Sequence, residues 1–223
     1  MISAEGAAEL RRLDRQGEPP SGLKRYRHGR DRWGITSPTP EERGDIWRSL
    51  DLMQGRRCAY CEGPMIAGNR HIEHFRQRRC YPEGTFDWNN LFGSCDRAGT
   101  CGRAKDQCGD YPEGSLIKAD IENPDDFLVF TPRGTVEPRV DLSAGDHLRA
   151  SETIRILGLD GALNQIRRAL LCGYLETMEY FAWCVDAYPD GEGWMEELEL
   201  EVRNTANLPF ATAIRHVLTR QSA

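Results

Sequence analysis

Cys58-Ala59-Tyr60-Cys61 places two thiols on one tight knuckle, and Cys95 with Cys101 supplies a second pair about 35 residues further on. Four sulfur ligands favour tetrahedral zinc. The second pair encloses five residues instead of the usual two to four, so Cys108, or secondarily Cys80, could replace Cys101 as the fourth ligand. Between the pairs runs His71-Ile72-Glu73-His74-Phe75. In an extended strand alternate side chains share a face, so His71 and Glu73 point one way while Ile72 and His74 point the other. Such a strand offers two ligand types and one separate base. A neutral His74 imidazole can take a proton from water, and the Glu73 carboxylate can hold a divalent cation that stabilises charge growing on a phosphate and its leaving oxygen. The competing reading is a second structural zinc, because His-x-x-His is also a metal-ligand spacing.

The bulk sequence bounds what can carry this chemistry. A chain of 223 residues, 39% of them hydrophobic, builds one sizeable core or two small ones. The opening Met1-Ile2-Ser3-Ala4-Glu5-Gly6 lacks a charged then apolar signal pattern, and Phe127-Leu128-Val129-Phe130 is too short to span a bilayer, so a cytoplasmic protein without a membrane partner is expected. In that compartment closely spaced cysteines serve metals more often than disulfides. The net charge of −6 taken alone disfavours nucleic acid, yet residues 1–107 carry 19 Lys+Arg against 15 Asp+Glu and residues 108–223 carry 10 against 20. A phosphate-binding face therefore belongs to the first half, where Arg56, Arg57, Arg70, Arg76, Arg78 and Arg79 flank the motif.

Elements that position these residues are legible around them. The segment through Pro38 is Arg-, Gly- and Pro-rich without periodicity and is expected to wrap the surface or contact a partner. Thr39 as N-cap, Pro40 at the first helical position and Glu42 completing a capping box start a helix whose Ile46, Leu50 and Met53 stripe stops at Gly55. From Arg56 to about Tyr111 the chain is Cys-, His- and Gly-rich, as in a small unit held by metal. Phe127–Phe130 and Thr135-Val136 flank a Thr131–Gly134 turn and predict a hairpin. Beyond lies a helix from Glu152 to Leu157, then a long one capped by Asp160 with Leu163, Ile166, Leu170, Tyr174, Met178, Phe181 and Val185 on one face, then two helices bracketing Pro209. Cys172 and Cys184 are expected in the core of the long helix. Glu196, Glu197, Glu199 and Glu201 read as a solvated face, with protein docking as the alternative.

Trp88-Asn89-Asn90-Leu91-Phe92 and Cys101-Gly102-Arg103-Ala104-Lys105-Asp106 complete the set. Cys-x-x-Cys, an acidic residue plus His, Asn-Leu, and a second Cys pair followed by Lys resembles the HNH endonuclease motif with zinc-knuckle support. More narrowly, from about Trp47 to Arg168 the chain is similar to the HNH nuclease subunit of Septu-type anti-phage defence systems, also found with some retrons. The resemblance implies an α+β fold with a zinc-knuckle ββα-metal core and a mostly helical C-terminal region. The expected organisation is an arm and capped helix (1–55), the nuclease core (56–111), a hairpin extension (112–142) and a helical region (143–223). It implies His74 as water-activating base, Glu73 as acidic ligand of a Mg²⁺- or Mn²⁺-class ion, and Asn90 orienting the base through its backbone or amide. Many members carry His or Asn where this chain has Gly102, so His71 and Asp106 are candidates to complete the ion's shell. Arg76, Arg78, Arg79 and Lys105 are expected on nucleic acid, DNA before RNA, and an ABC/SMC-like ATPase partner is implied by the resemblance only. A non-catalytic zinc-ribbon adaptor and a tRNA-cleaving nuclease are the alternatives.

Overall fold

A computed structural model describes residues 13–219 except 16, 113 and 192; part of the expected arm therefore lies outside the described residues. The predicted capped helix is α1 (Pro40–Gln54), with Thr39 and Glu42 forming the reciprocal capping box and Gly55 closing the end in the left-handed conformation. Ile46 and Leu50 are fully buried. After the Cys58–Cys61 knuckle the chain forms β1 (Arg70–His74), loops back through short 3₁₀ turns, and returns as β2 (Leu91–Cys95). The two strands pair antiparallel, with His71 opposite Ser94, Glu73 opposite Phe92 and His74 opposite Leu91. Helix α2 (Cys101–Gln107) packs on β2.

The sheet is only two strands wide, so its outer edge needs a partner. Gln54 supplies it: the side-chain amide donates to the Gly93 carbonyl at 2.9 Å and accepts the Gly93 N–H at 2.7 Å. A β-carbon at Gly93 would press on Gln54, Met65 and Trp47, which explains the glycine.

The described part of the arm runs along the surface as expected, mostly exposed, but is pinned to it by a few buried residues. Leu23 and Tyr26 are buried with Ile46, Leu50, Phe86, Trp88 and Leu91 in a second core on one side of the sheet. Arg15 donates to the Trp88 and Leu91 carbonyls at 2.9 and 2.7 Å and pairs with Asp120. Aperiodic Arg/Pro/Gly composition hid this role, because isolated anchors leave no repeat.

The hairpin forms as β3 (Leu128–Phe130) and β4 (Val136–Pro138), and helices follow: α3 (Ala144–Ile156), α4 (Ala162–Leu171), α5 (Leu175–Ala187), α6 (Trp194–Thr205) and α7 (Ala211–Leu218). Several expectations need correction. The helix read as Glu152–Leu157 begins eight residues earlier, capped by Ser143 on the Asp146 N–H. The single long helix is two, broken by a 3₁₀ turn at Cys172–Tyr174 beside Gly173, and Gly161 rather than Asp160 is its N-cap. That break turns Cys172 to solvent while Cys184 stays in the core, and Val185 is exposed. Glu196, Glu197 and Glu199 are exposed as a solvated face requires, and Glu201 is half-buried.

The helices and the knuckle form one body. Glu62 holds a left-handed backbone conformation, its carbonyl accepts the Phe210 N–H, and its carboxylate accepts the Thr212 N–H at 3.0 Å and hydroxyl at 2.6 Å, so the knuckle caps α7. Arg57 reaches the other way, donating to the Ala206 and Leu208 carbonyls after α6. A buried group of Arg215, Asp125 and His216 ties α7 to β3, with the Phe130 N–H donating to His216 Nδ1 at 3.1 Å. Among the described residues no helix is long and apolar enough to cross a membrane.

Candidate metal centre and base cleft

Cys58, Cys61, Cys95 and Cys101 are all buried, and their sulfurs lie within 4.8 Å of one another. Tetrahedral zinc at ~2.3 Å per bond separates its sulfurs by about 3.8 Å, and Cys61 and Cys95 stand at 3.9 Å. The set therefore fits a structural metal such as zinc. Polar groups surround it: the Gly63 N–H donates to Cys61 Sγ at 3.4 Å, the Cys58 thiol lies 3.9 Å from the Ser94 Oγ that accepts from it, and Thr100 Oγ1 lies 3.9 Å from Cys95 Sγ. Hydrogen bonds from Cys101, Cys58 and Cys61 hold the Cys95 thiol far below its ordinary value, whereas the same crowding, Cys58 first, pushes Cys101 up. A bound cation removes that conflict by favouring all four thiolates.

Cys101 is thus the fourth member, and the alternatives fall away. Cys108 Sγ sits on the Lys105 carbonyl at 3.1 Å, and Cys80 is exposed beside Asp110. The long spacing is accommodated by backbone strain: Cys101 has φ 51°, and its N–H is held by the Leu157 carbonyl at 2.6 Å.

Beside the sulfurs, β1 borders a cleft of about 410 Å³ lined by Trp33, His71, Glu73, His74, Arg78, Arg79, Arg103 and Asp106 among others. His71 Nε2 lies 2.9 Å from Glu73 Oε2, as two side chains on one strand face should, and His71 Nδ1 is 3.4 Å from Asp96, which Arg103 pairs in turn. Burial works against charge on both groups, yet the His71 hydrogen bond and the Lys105 charge hold the Glu73 carboxyl below its usual range, and Glu73 with Asp96 raises His71.

These two side chains are the donors a divalent cation would use on this strand face, and here they are hydrogen-bonded to each other at 2.9 Å. The space before them is kept clear by Gly102: a β-carbon there would collide with Glu73 Oε2 and lie 2.7 Å from His71 Nε2. The glycine that departs from the HNH pattern therefore makes room where a ligand side chain is expected. Asp106 borders the same cleft with its side chain 57% exposed. Among the described residues, only the four cysteines form a group of three or more His, Cys, Asp or Glu with ligand atoms already gathered, so the His71–Glu73–Asp106 set is not gathered in this conformation.

His74 lies on the other strand face yet reaches the same cleft. Its ring is 6% exposed, meets Trp33 edge-on at 4.6 Å between centroids, and its Nε2 bonds the Thr85 carbonyl at 3.0 Å. Nε2–H as donor leaves the Nδ1 lone pair for a proton. Burial dominates and pushes the pKa down to about 4, so the ring is neutral at pH 7. A stability test follows. The unfolded chain binds a proton near pH 6.5 and the folded one only near 4, so this group's contribution, at most about 3 kcal/mol, is complete above pH 6.5 and is lost as pH falls towards 4. Melting curves from pH 7.5 to 4 should fall more steeply for the parent than for His74→Gln; parallel curves would contradict the shift.

Other expected site residues are placed differently. Asn90 hydrogen-bonds the backbone around the ring instead of the ring itself. Its carbonyl accepts the Phe75 N–H, its Oδ1 the Arg76 N–H at 2.7 Å, and its amide donates to the Arg76 and Gly84 carbonyls at 3.1 Å. It clamps the segments on either side of the base, next to the Thr85 that holds the ring. Arg78 and Arg79 line the cleft, Arg79 paired with Asp110 at 3.0 Å. Arg76 lies over the Tyr81 ring in a neighbouring cleft with Tyr111 and Lys118. Lys105 is a correction: its side chain is 0% exposed, with Nζ 2.6 Å from Glu73 Oε1, so it is out of a phosphate's reach. Sequence reasoning missed Trp33, Thr85, Asp96 and Arg103; only Asp96, next to Cys95, and Arg103, two residues past Cys101, carried a positional signal. No protein-family model matches this chain, and no curated protein aligns with it significantly.

Proposed function

We propose that the protein is an HNH-type endonuclease that hydrolyses phosphodiester bonds, DNA in preference to RNA, around a structural zinc. The observation that carries the reading is the convergence, on one arginine-bordered cleft, of a neutral imidazole anchored through one nitrogen and a carboxylate–imidazole pair facing an open cradle. The antiparallel pair β1–β2 followed by α2, with sulfurs at its base, supports the ββα-metal assignment.

In this mechanism His74 takes a proton from water at Nδ1, while the Thr85 carbonyl keeps the ring oriented through Nε2–H. Arg78, Arg79 and Arg103 border the cleft and position the phosphate. Glu73 and His71 would hold a Mg²⁺- or Mn²⁺-class ion, which supplies Lewis-acid stabilisation of the leaving oxygen when bound. The Asp96 carboxylate, 3.4 Å from His71 Nδ1, favours a proton on that nitrogen electrostatically, which would leave Nε2 for the ion. The Septu-type resemblance extends the proposal to an anti-phage effector working beside an ATPase.

Nicking of supercoiled plasmid and cleavage of tRNA, each with Mg²⁺, Mn²⁺ or EDTA, test the reading. Cation-dependent cutting supports it; inertness under every condition favours the zinc-ribbon adaptor, and tRNA cleavage alone favours the RNA enzyme. Gly102→Ala should lower cutting by about 100-fold, because its methyl fills the cradle and displaces both donors. Zinc content should stay at the parent's level; full activity in that variant would remove the cradle from the mechanism.

A further inference from the structure

Lys105 is among the largest fully buried side chains of the molecule, and a lysine is almost never so unless it is paired. Its ammonium lies 2.6 Å from Glu73 Oε1 and 3.4 Å from Asp106 Oδ1. Glu73 is itself 3% exposed, so its single negative charge is matched by Lys105 before anything enters the cleft. The other oxygen, Oε2, faces His71 and the Gly102 cradle. The carboxylate charge at the cradle is thus cancelled by Lys105, and the exposed Asp106 shares the cleft with Arg78, Arg79 and Arg103, so the cradle offers two good donor atoms without net negative charge around them. The nearby Asp96 is taken up by Arg103, and Asp110 by Arg79. A divalent ion seated there meets a fixed cation across the width of one carboxylate, with its charge unbalanced.

A phosphate diester brings the missing negative charge. We propose that Lys105 is a positioning residue that makes divalent-cation binding conditional on the anionic substrate: it aims Glu73 Oε2 at the cradle and, by cancelling the carboxylate's charge, keeps the seat weak until a nucleic-acid phosphate arrives. The inference rests on the nuclease reading above. It excludes a direct Lys105–phosphate contact, because the ammonium is enclosed. It also explains why a lysine is placed beside the very carboxylate that a cation needs.

The test uses zinc-loaded full chain carrying His74→Ala, so that substrate is not consumed, and reads Mn²⁺ binding by calorimetry and by the spin-resonance signal of protein-bound Mn²⁺. A single-stranded oligodeoxynucleotide is present or absent, and Mn²⁺ bound by the oligonucleotide alone is subtracted. The expected result is binding at least about tenfold tighter with the oligonucleotide than without it, since like charges this close interact strongly even at surface-like dielectric. Lys105→Met should bind Mn²⁺ at least about tenfold tighter than its parent without oligonucleotide and lose most of the dependence. Lys105→Gln, a neutral polar replacement, should behave the same way if the methionine variant fails to fold, and Lys105→Arg should retain the dependence. A folded, charge-removed variant that binds Mn²⁺ no better than the parent overturns the proposal, as does a parent that binds equally with and without oligonucleotide; both results leave the nuclease reading standing. No Mn²⁺ binding by any form in the presence of oligonucleotide overturns both.

Discussion

Replacing His74 by alanine should lower phosphodiester cleavage by about two to four orders of magnitude, the usual worth of a positioned general base. The loss should appear in single-turnover nicking at saturating protein, with substrate affinity nearly unchanged, because the arginines that border the cleft are untouched. Folding should survive: the variant loses one ring that packs edge-on against Trp33 and one hydrogen bond to the Thr85 carbonyl. His74→Gln separates the roles further, since a glutamine amide can keep a bond to that carbonyl without offering a basic nitrogen. Cutting by His74→Ala at the parent's rate, under the same cation, would remove the imidazole from the mechanism. The low pKa of about 4 limits the basicity of this group, so the cost of moving the proton falls on the arginines that border the cleft and on the charge stabilisation that a cation held by Glu73 and His71 would supply.

Removing a sulfur should have a larger effect on the molecule. Structural zinc contributes apparent free energies of about 10–16 kcal/mol, comparable to the whole stability of a typical domain at ~5–15 kcal/mol. Cys58→Ser is therefore expected to abolish cooperative unfolding and zinc binding together, and strong chelators should melt the parent. Cys80→Ser and Cys108→Ser should be close to silent, since neither sulfur belongs to the cluster. Metal content by mass spectrometry beside a circular-dichroism melt checks all three. A Cys58→Ser protein with full zinc and an unchanged melt would dissolve the metal scaffold.

Those contrasts also mark what the sequence could carry. The capping box of Thr39 and Glu42, the hairpin after Asp126 and the shared face of His71 and Glu73 are local: each follows from residues within a few positions, and each appears in the structure. The choice among Cys80, Cys101 and Cys108 was left open because it depends on a left-handed backbone turn, which a spacing rule cannot register. Lys105 was misread for a related reason. Its burial needs Glu73 from a strand some thirty residues away, and nothing in Cys-Gly-Arg-Ala-Lys-Asp distinguishes it from a surface lysine. The arm's part in the second core, with Leu23 and Tyr26 under Phe86 and Trp88, is likewise a long-range packing result without a periodic trace. In the long helix, seven apolar residues at helical spacing concealed Cys172–Tyr174, where Gly173 lets the axis break. Periodicity reports a face, not its continuity.

The link between Glu62 and Thr212 spans 150 residues of chain. Ribosomes release residues in order, at about 5–20 per second, so the knuckle emerges many seconds before the helix that seats on it. During that interval the apolar side of the sulfur cluster that meets Phe210 is uncovered, and the Glu62 turn holds its strained backbone without the bonds that reward it. A nascent chain stopped short of α7 thus carries every residue of the cleft but no seal over its foundation. Completion of synthesis becomes a condition for a rigid centre.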